Sequence, residues 1–221
     1  RKFLVFQLTV NVAAVLVSFL GPFFGTDLPL TMTQLLWVNI VMDTLAAFAF
    51  SGEAALNRYM YEKPIPKDES LITIEMWSAI LINGFYMALL SLFFITSDFV
   101  ESLFVCDKIR CNGNEKNLVL LTAFFGFFVF INNFNKFNAR TDGLNLFERI
   151  TDNRGFIFVV LIIFSLQTTF TYFGGEILRT VGLTMEEWIY ILFFSFTIIP
   201  IDLARKFLRN RFFGNPVVDN L

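Results

Sequence analysis

The chain has 221 residues, 56% of them hydrophobic and only 16% charged, with 31 Phe and a net charge of −2; its mean hydropathy is +0.64. A water-soluble domain is typically ~45–50% apolar and ~25% charged, so this balance excludes a soluble fold and puts the chain in a lipid bilayer. The lack of His removes imidazole metal ligation and His acid–base chemistry. Two Cys alone make no soft-metal cage, and the Lys and Arg residues lie between apolar runs, where they indicate no nucleic-acid partner.

About 20 apolar residues cross a bilayer, and six stretches qualify. The expected fold is all-α: an integral membrane bundle of six transmembrane helices, read as one unit over residues 1–221. The helices are expected at residues 3–20 (closed by Gly21-Pro22), 33–51, 74–96, 118–137, 155–173 (closed by Gly174-Gly175) and 187–203. The chain opens on Arg1-Lys2, without Met or a cleavage site, and runs straight into the first span. It therefore reads as a piece of something longer.

Alternating the loops across the membrane puts Lys108, Arg110, Lys116 and Arg179 on one side and the other 13 of the 17 Lys and Arg residues on the opposite side. By the positive-inside rule both termini are then cytoplasmic. The loop 97–117 falls outside and holds Cys106 and Cys111, a pair that reads as a structural disulfide on an oxidising side, with two free thiols as the alternative. The cytoplasmic loop 53–73 carries Lys63-Pro64-Ile65-Pro66-Lys67-Asp68-Glu69, an extended linker or a docking surface for a cytoplasmic partner. The basic tail with Arg205, Lys206, Arg209 and Arg211 reads as a topology anchor against anionic lipid.

The polar residues inside the spans carry the functional signal. Gln7, Asn11, Ala14 and Ser18 recur at helical spacing, and Asn39 and Asp43, four apart, are expected on one face with Ala46 and Phe50. An acid at the centre of a membrane helix costs at least ~2.5 kcal/mol on insertion scales. No basic residue is expected at comparable depth, Lys136 being read as close to a helix end. A bound cation is then the natural compensation. Amide and carboxylate oxygens suit hard ions such as Ca²⁺, Mg²⁺ or Mn²⁺. Asn11 alone fits an interhelical hydrogen bond equally well. The amides Asn132, Asn133, Asn135 and Asn138, and Gln167 with Thr168, Thr169 and Thr171, read as caps and bonds to neighbours; Asp202 reads as a partner of Arg205 or Lys206. Calcium takes six to eight oxygens, so three residues leave the shell to be completed by carbonyls, water or segments outside the chain.

These residues also resemble a known family. Lys2-Phe3-Leu4-Val5-Phe6-Gln7-Leu8-Thr9-Val10-Asn11-Val12 is similar to the fifth membrane helix of P-type calcium-transporting ATPases, particularly the plasma-membrane type. Leu35-Leu36-Trp37-Val38-Asn39-Ile40-Val41-Met42-Asp43 resembles the sixth. Lys63-Pro64 followed by Ser70-Leu71-Ile72 resembles the loop before the seventh, and Phe134-Asn135-Lys136-Phe137-Asn138-Ala139-Arg140 the end of the eighth.

The resemblance implies the fifth to tenth membrane helices of a pump, with Asn11, Asn39 and Asp43 as ligands of the transported Ca²⁺ and Mn²⁺ as the alternative ion. Ala14 stands where two-site pumps carry an acid one turn after the Asn of the fifth helix, which implies a single calcium per cycle. No phosphorylation motif, nucleotide-binding domain or Pro-Glu-Gly-Leu helix is present. ATP and Mg²⁺ would belong to missing cytoplasmic domains, and the partners would be those domains, the first four membrane helices and the lipid bilayer. The implied location is a plasma membrane or a bacterial inner membrane, as a multi-pass protein. Two other readings are kept open. A self-contained secondary exchanger or channel would carry an internal repeat with a second acidic helix, and none is visible. In a purely structural bundle, Asp43 would be incidental.

Overall fold

The computed structural model describes residues 1–25, 29–53, 71–106, 110, 117–141, 143–148 and 150–213. The Lys63-to-Glu69 segment and Cys111 lie outside the described residues. Among those described, six helices are long and apolar enough to cross a membrane: Lys2–Phe24, Met32–Ser51, Ile74–Thr96, Leu118–Arg140, Arg154–Phe173 and Met185–Phe212. They are called the first to sixth spans below. With every backbone polar group in lipid needing an internal partner, helices are the form expected of such runs. The fold is an all-α membrane bundle.

Five of the six spans begin where the sequence supplies a side-chain cap; the first, starting after Arg1, does not. Thr31 accepts from the Gln34 amide while the Gln34 side chain returns the bond, a capping box at the start of the second span. Thr184 and Glu187 form another at the start of the sixth. Thr73, Asn117 and Asn153 cap the third, fourth and fifth. These side chains satisfy amide groups that the first helical turn leaves without partners. The fourth span continues to Arg140, a turn beyond the expected end. The sixth is two helical segments, Met185–Phe196 and Ile198–Phe213, and its second segment carries the basic residues well past the expected boundary at 203. Pro200 sits in the first turn of that segment, where a missing N–H costs little.

The fourth span is the axis of the bundle. Over its most apolar stretch 83% of it is buried, against 33–50% for the other five. Its phenylalanines Phe124, Phe125, Phe127, Phe128 and Phe130 are buried, and Phe94 of the third span stacks on Phe127 with ring centroids 4.7 Å apart. Lipid is as apolar as a side chain, so close packing rather than escape from water holds such helices together. The first and third spans show this at Gly84. A Cβ there would lie 2.9 Å from Val12 Cγ1 and 3.2 Å from Val12 Cβ.

Three ionic joints tie the span ends. Arg110 donates to both Glu187 oxygens at 2.9 Å. Asp202, fully buried, pairs with Arg205 at 2.7 Å and Lys206 at 2.9 Å and accepts from Asn83 at 2.8 Å. Glu53, just past the second span, pairs with Arg140 at 2.6 Å and Lys2 at 3.3 Å and accepts from Asn153 at 2.9 Å. This last joint connects the start of the first span to the ends of the second and fourth and the start of the fifth. Cys106 is disulfide-bonded.

Two predictions follow from this packing. Gly84→Val forces a branched side chain into a stiff, β-branched neighbour, and overpacking of this kind typically costs about 1–3 kcal/mol. A lower thermal unfolding midpoint in detergent checks it, with Gly84→Ala intermediate. At Glu53, burial pushes the carboxyl up, but hydrogen bonds from Asn153 and Arg140 and the charges of Lys2 and Arg140 outweigh it, holding it below its ordinary value of 4.5. The joint's contribution is therefore complete above about pH 4.5 and is lost as pH falls through the lower folded-state value. The unfolding midpoint of the wild type should drop over that acid range, and Glu53→Gln should flatten the drop.

Candidate functional site

The second span is not a uniform α-helix. It runs as Met32–Trp37, a π-helical turn Val38–Met42, and Asp43–Ser51. π turns bond five residues apart and are uncommon outside functional positions. Val38, Asn39, Ile40 and Val41 are all weak helix formers, which makes this the stretch where the regular ladder is easiest to open.

The turn redistributes the expected site residues. Asp43 is buried, and Ala46 and Phe50, following it at α-helical spacing, are buried with it. Asn39 is exposed on the surface of the bundle. The expectation that Asn39 and Asp43 share one buried face is therefore corrected: across the π turn one is exposed and the other buried. Asn11 is half-buried on the first span, as are Gln7, Ala14 and Ser18. This polar face lies along the rim of the bundle. Asn11 makes no side-chain hydrogen bond with a described residue.

The close partner of Asp43 is Gln7, whose Nε2 donates to Asp43 Oδ2. The other oxygen of each residue, Asp43 Oδ1 and Gln7 Oε1, is buried with no hydrogen-bond partner. Two unpartnered acceptors on adjoining side chains form an electron-rich spot in apolar surroundings, and buried acceptors left without partners are costly. Such a spot attracts a hard cation. No three acidic, Cys or His side chains converge among the described residues, so any ion held here would draw its other oxygens from amides, backbone or elsewhere.

Lys136 was misread from the sequence. It is fully buried, its ammonium 5.3 Å from the centre of the Phe6 ring. It donates to Asn133 Oδ1 at 3.1 Å. It attracts Asp43 through the bundle without direct ion-pair contact. A basic residue thus does lie at depth beside the acid. The usable signal was its setting: a Lys among Asn132, Asn133, Asn135 and Asn138 sits in a polar stripe that runs inward, not only in a helix-end cap.

The neighbouring amides mostly behave as expected. Asn132 donates to Phe128 O, Asn133 to Val160 O and Asn138 to Ile198 O. Thr168, Thr169 and Thr171 bond back to their own helix. Gln167 differs, being fully buried with neither amide atom partnered.

Six apolar spans around a buried acid define a multi-pass α-helical integral membrane protein. Residues 27–208 match the family model described as "Cation transporting ATPase, C-terminus", and the chain belongs to that family. It is 34% identical over 212 residues to calcium-transporting ATPase 8, plasma membrane-type, of Arabidopsis thaliana, covering 94% of this chain and 19% of that protein. Calcium-transporting ATPase 5, plasma membrane-type, of Oryza sativa subsp. japonica is 34% identical over 209 residues, with 94% and 19% covered. Its ATPase 10 is 35% identical over 209 residues, with 94% and 20% covered. The chain thus spans about a fifth of the length of the relatives it matches.

Removing the amide donor should expose the cost of the isolated acid. Gln7→Leu leaves the Asp43 carboxylate without its hydrogen bond, and a loss of this kind costs about 1–3 kcal/mol. A reduced unfolding midpoint in detergent checks it. The double variant Gln7→Leu, Asp43→Leu should recover most of the loss, because no polar group is then stranded.

Proposed function

We propose that this chain is the ion-binding half of the membrane domain of an ATP-driven calcium pump, spanning the fifth to tenth helices, with both termini cytoplasmic. The observation that carries the reading is the Asp43–Gln7 pair, with its two unpartnered buried oxygens, on the two spans that bear the candidate ligands. Membership of the cation-transporting ATPase family supports it, as do relatives named for calcium transport.

In this reading Asp43 is the anionic ligand, and Asn11 and Asn39 supply amide oxygens. Asn11 is only half-buried and Asn39 exposed, so the edge where the first two spans meet is open. The remaining helices of the pump would cover that edge and bring further oxygens to the ion. The π turn adds to this by loosening the backbone ladder around Asn39, which frees carbonyl oxygens of the kind calcium accepts. Ala14 puts no acid one turn beyond Asn11, consistent with one calcium per cycle. The cation load of the loops supports cytoplasmic ends. ATP and its Mg²⁺ would act in cytoplasmic domains, and Mn²⁺ is the competing cargo.

The test is calcium uptake into vesicles by the intact pump. Asp43→Asn should abolish calcium-dependent uptake in a protein that still folds and inserts. Asn39→Ala should weaken apparent calcium affinity at least tenfold, on the scale of one lost charge-assisted contact. Unchanged affinity in Asp43→Asn would withdraw the assignment at its central residue.

A further inference from the structure

Lys136 is the buried cation that the ligand assignment leaves unused. It lies on the fourth span, which carries none of the proposed ligands, and it is 0% exposed. A buried ammonium is costly unless anions or oriented dipoles face it. Its one hydrogen bond goes to Asn133 Oδ1 at 3.1 Å, and the face of Phe6 lies 5.3 Å away, within cation–π reach. An ammonium has three donors, so two of its N–H groups have no acceptor among the described residues.

The chemistry one residue along the first span from Phe6 is complementary. Gln7, the next residue, holds Asp43, and the unpartnered acceptors there are Asp43 Oδ1 and Gln7 Oε1. Unsatisfied donors on Lys136 and unsatisfied acceptors on the Gln7–Asp43 pair thus adjoin two consecutive residues of the first span, Phe6 and Gln7. The two charges already attract across that gap, and a flexible four-carbon stem allows the ammonium to shift. Asp202 shows the contrast. Its charge is matched by direct contacts with Arg205 and Lys206, which leaves no comparable gap.

We infer that Lys136 is a tethered internal cation that neutralises Asp43 when the site holds no ion and is displaced from that role when a divalent cation binds. This rests on the assignment of Asp43 as a ligand. The consequence is a competition built into the fold. The incoming ion must outbid a charge that never leaves the protein, which lowers affinity but allows the emptied site to return without a stranded carboxylate. Lys136 is a positioning and affinity-setting residue, not a ligand.

The experiment uses the intact pump reconstituted in proteoliposomes. Lys136→Met keeps an unbranched chain of similar length without the charge. It should tighten apparent calcium affinity by about tenfold, the order expected for removing a nearby unit charge, while slowing maximal turnover severalfold. Lys136→Arg should stay close to wild type in both. A folded Lys136→Met with unchanged or weaker affinity would overturn the inference, because a merely structural lysine does not split affinity from turnover in this direction.

In an Asp43→Asn background Lys136→Met should restore no calcium-dependent uptake, since the two act as one unit. If Asp43→Asn alone leaves calcium affinity intact, the ligand assignment fails first, and that outcome is distinct from a null result at Lys136. Should the Lys136 variants not fold, the unaltered pump still decides. A compensating charge that stays in the membrane predicts about two positive charges moved per calcium, and a ratio near zero overturns it.

Discussion

A carboxylate inside an apolar bundle is the constraint on which this structure turns. Asp43 is buried in an apolar bundle, and among the described residues its only direct side-chain hydrogen bond comes from a neutral amide, Gln7. Low dielectric surroundings strengthen every electrostatic attraction that remains. The acid therefore organises what lies around it: the amide on the first span, the π turn that precedes it on the second, and the buried lysine that contacts Phe6.

The other buried acids show why Asp43 stands apart. Asp202 meets two cations and an amide within 3 Å. Half-buried Glu53 meets two cations and an amide, and Glu187 accepts twice from the Arg110 guanidinium and once from the Thr184 amide. Glu53 and Glu187 lie at span ends and Asp202 inside the sixth span, where basic side chains reach them, and each has a contact from another span or loop. An acid whose charge is already matched by a direct cation contact attracts a further ion less. Availability, rather than burial or residue type, separates the candidate ligand from the structural anchors.

The family assignment and the geometry meet at the rim formed by the first two spans. A half-buried amide at Asn11 and an exposed one at Asn39 would be poorly placed in a bundle complete in itself, because polar side chains facing lipid carry a cost. Set against relatives about five times longer, the same positions make sense as one wall of a site shared with neighbouring helices. The fourth span, buried along most of its length, packs against the first, while the second packs against the fifth and the first.

Much of this was legible in the residues. Run length and hydropathy determined the number of spans and their order, because the energy of crossing a bilayer is close to additive along the chain. Capping residues marked most helix starts. The charge of Asp43 in an apolar run was enough to single it out, since burial of an acid is expensive wherever it sits. What the tertiary structure alone decided was relational. Asn39 and Asp43 differ in burial because spacing along one helix does not reveal which positions its neighbours cover. Lys136 was assigned to a helix end because distance along one helix does not reveal what other helices enclose. Its neighbour Phe6 lies 130 positions away in the chain, and such proximity exists only once the first and fourth spans are packed together.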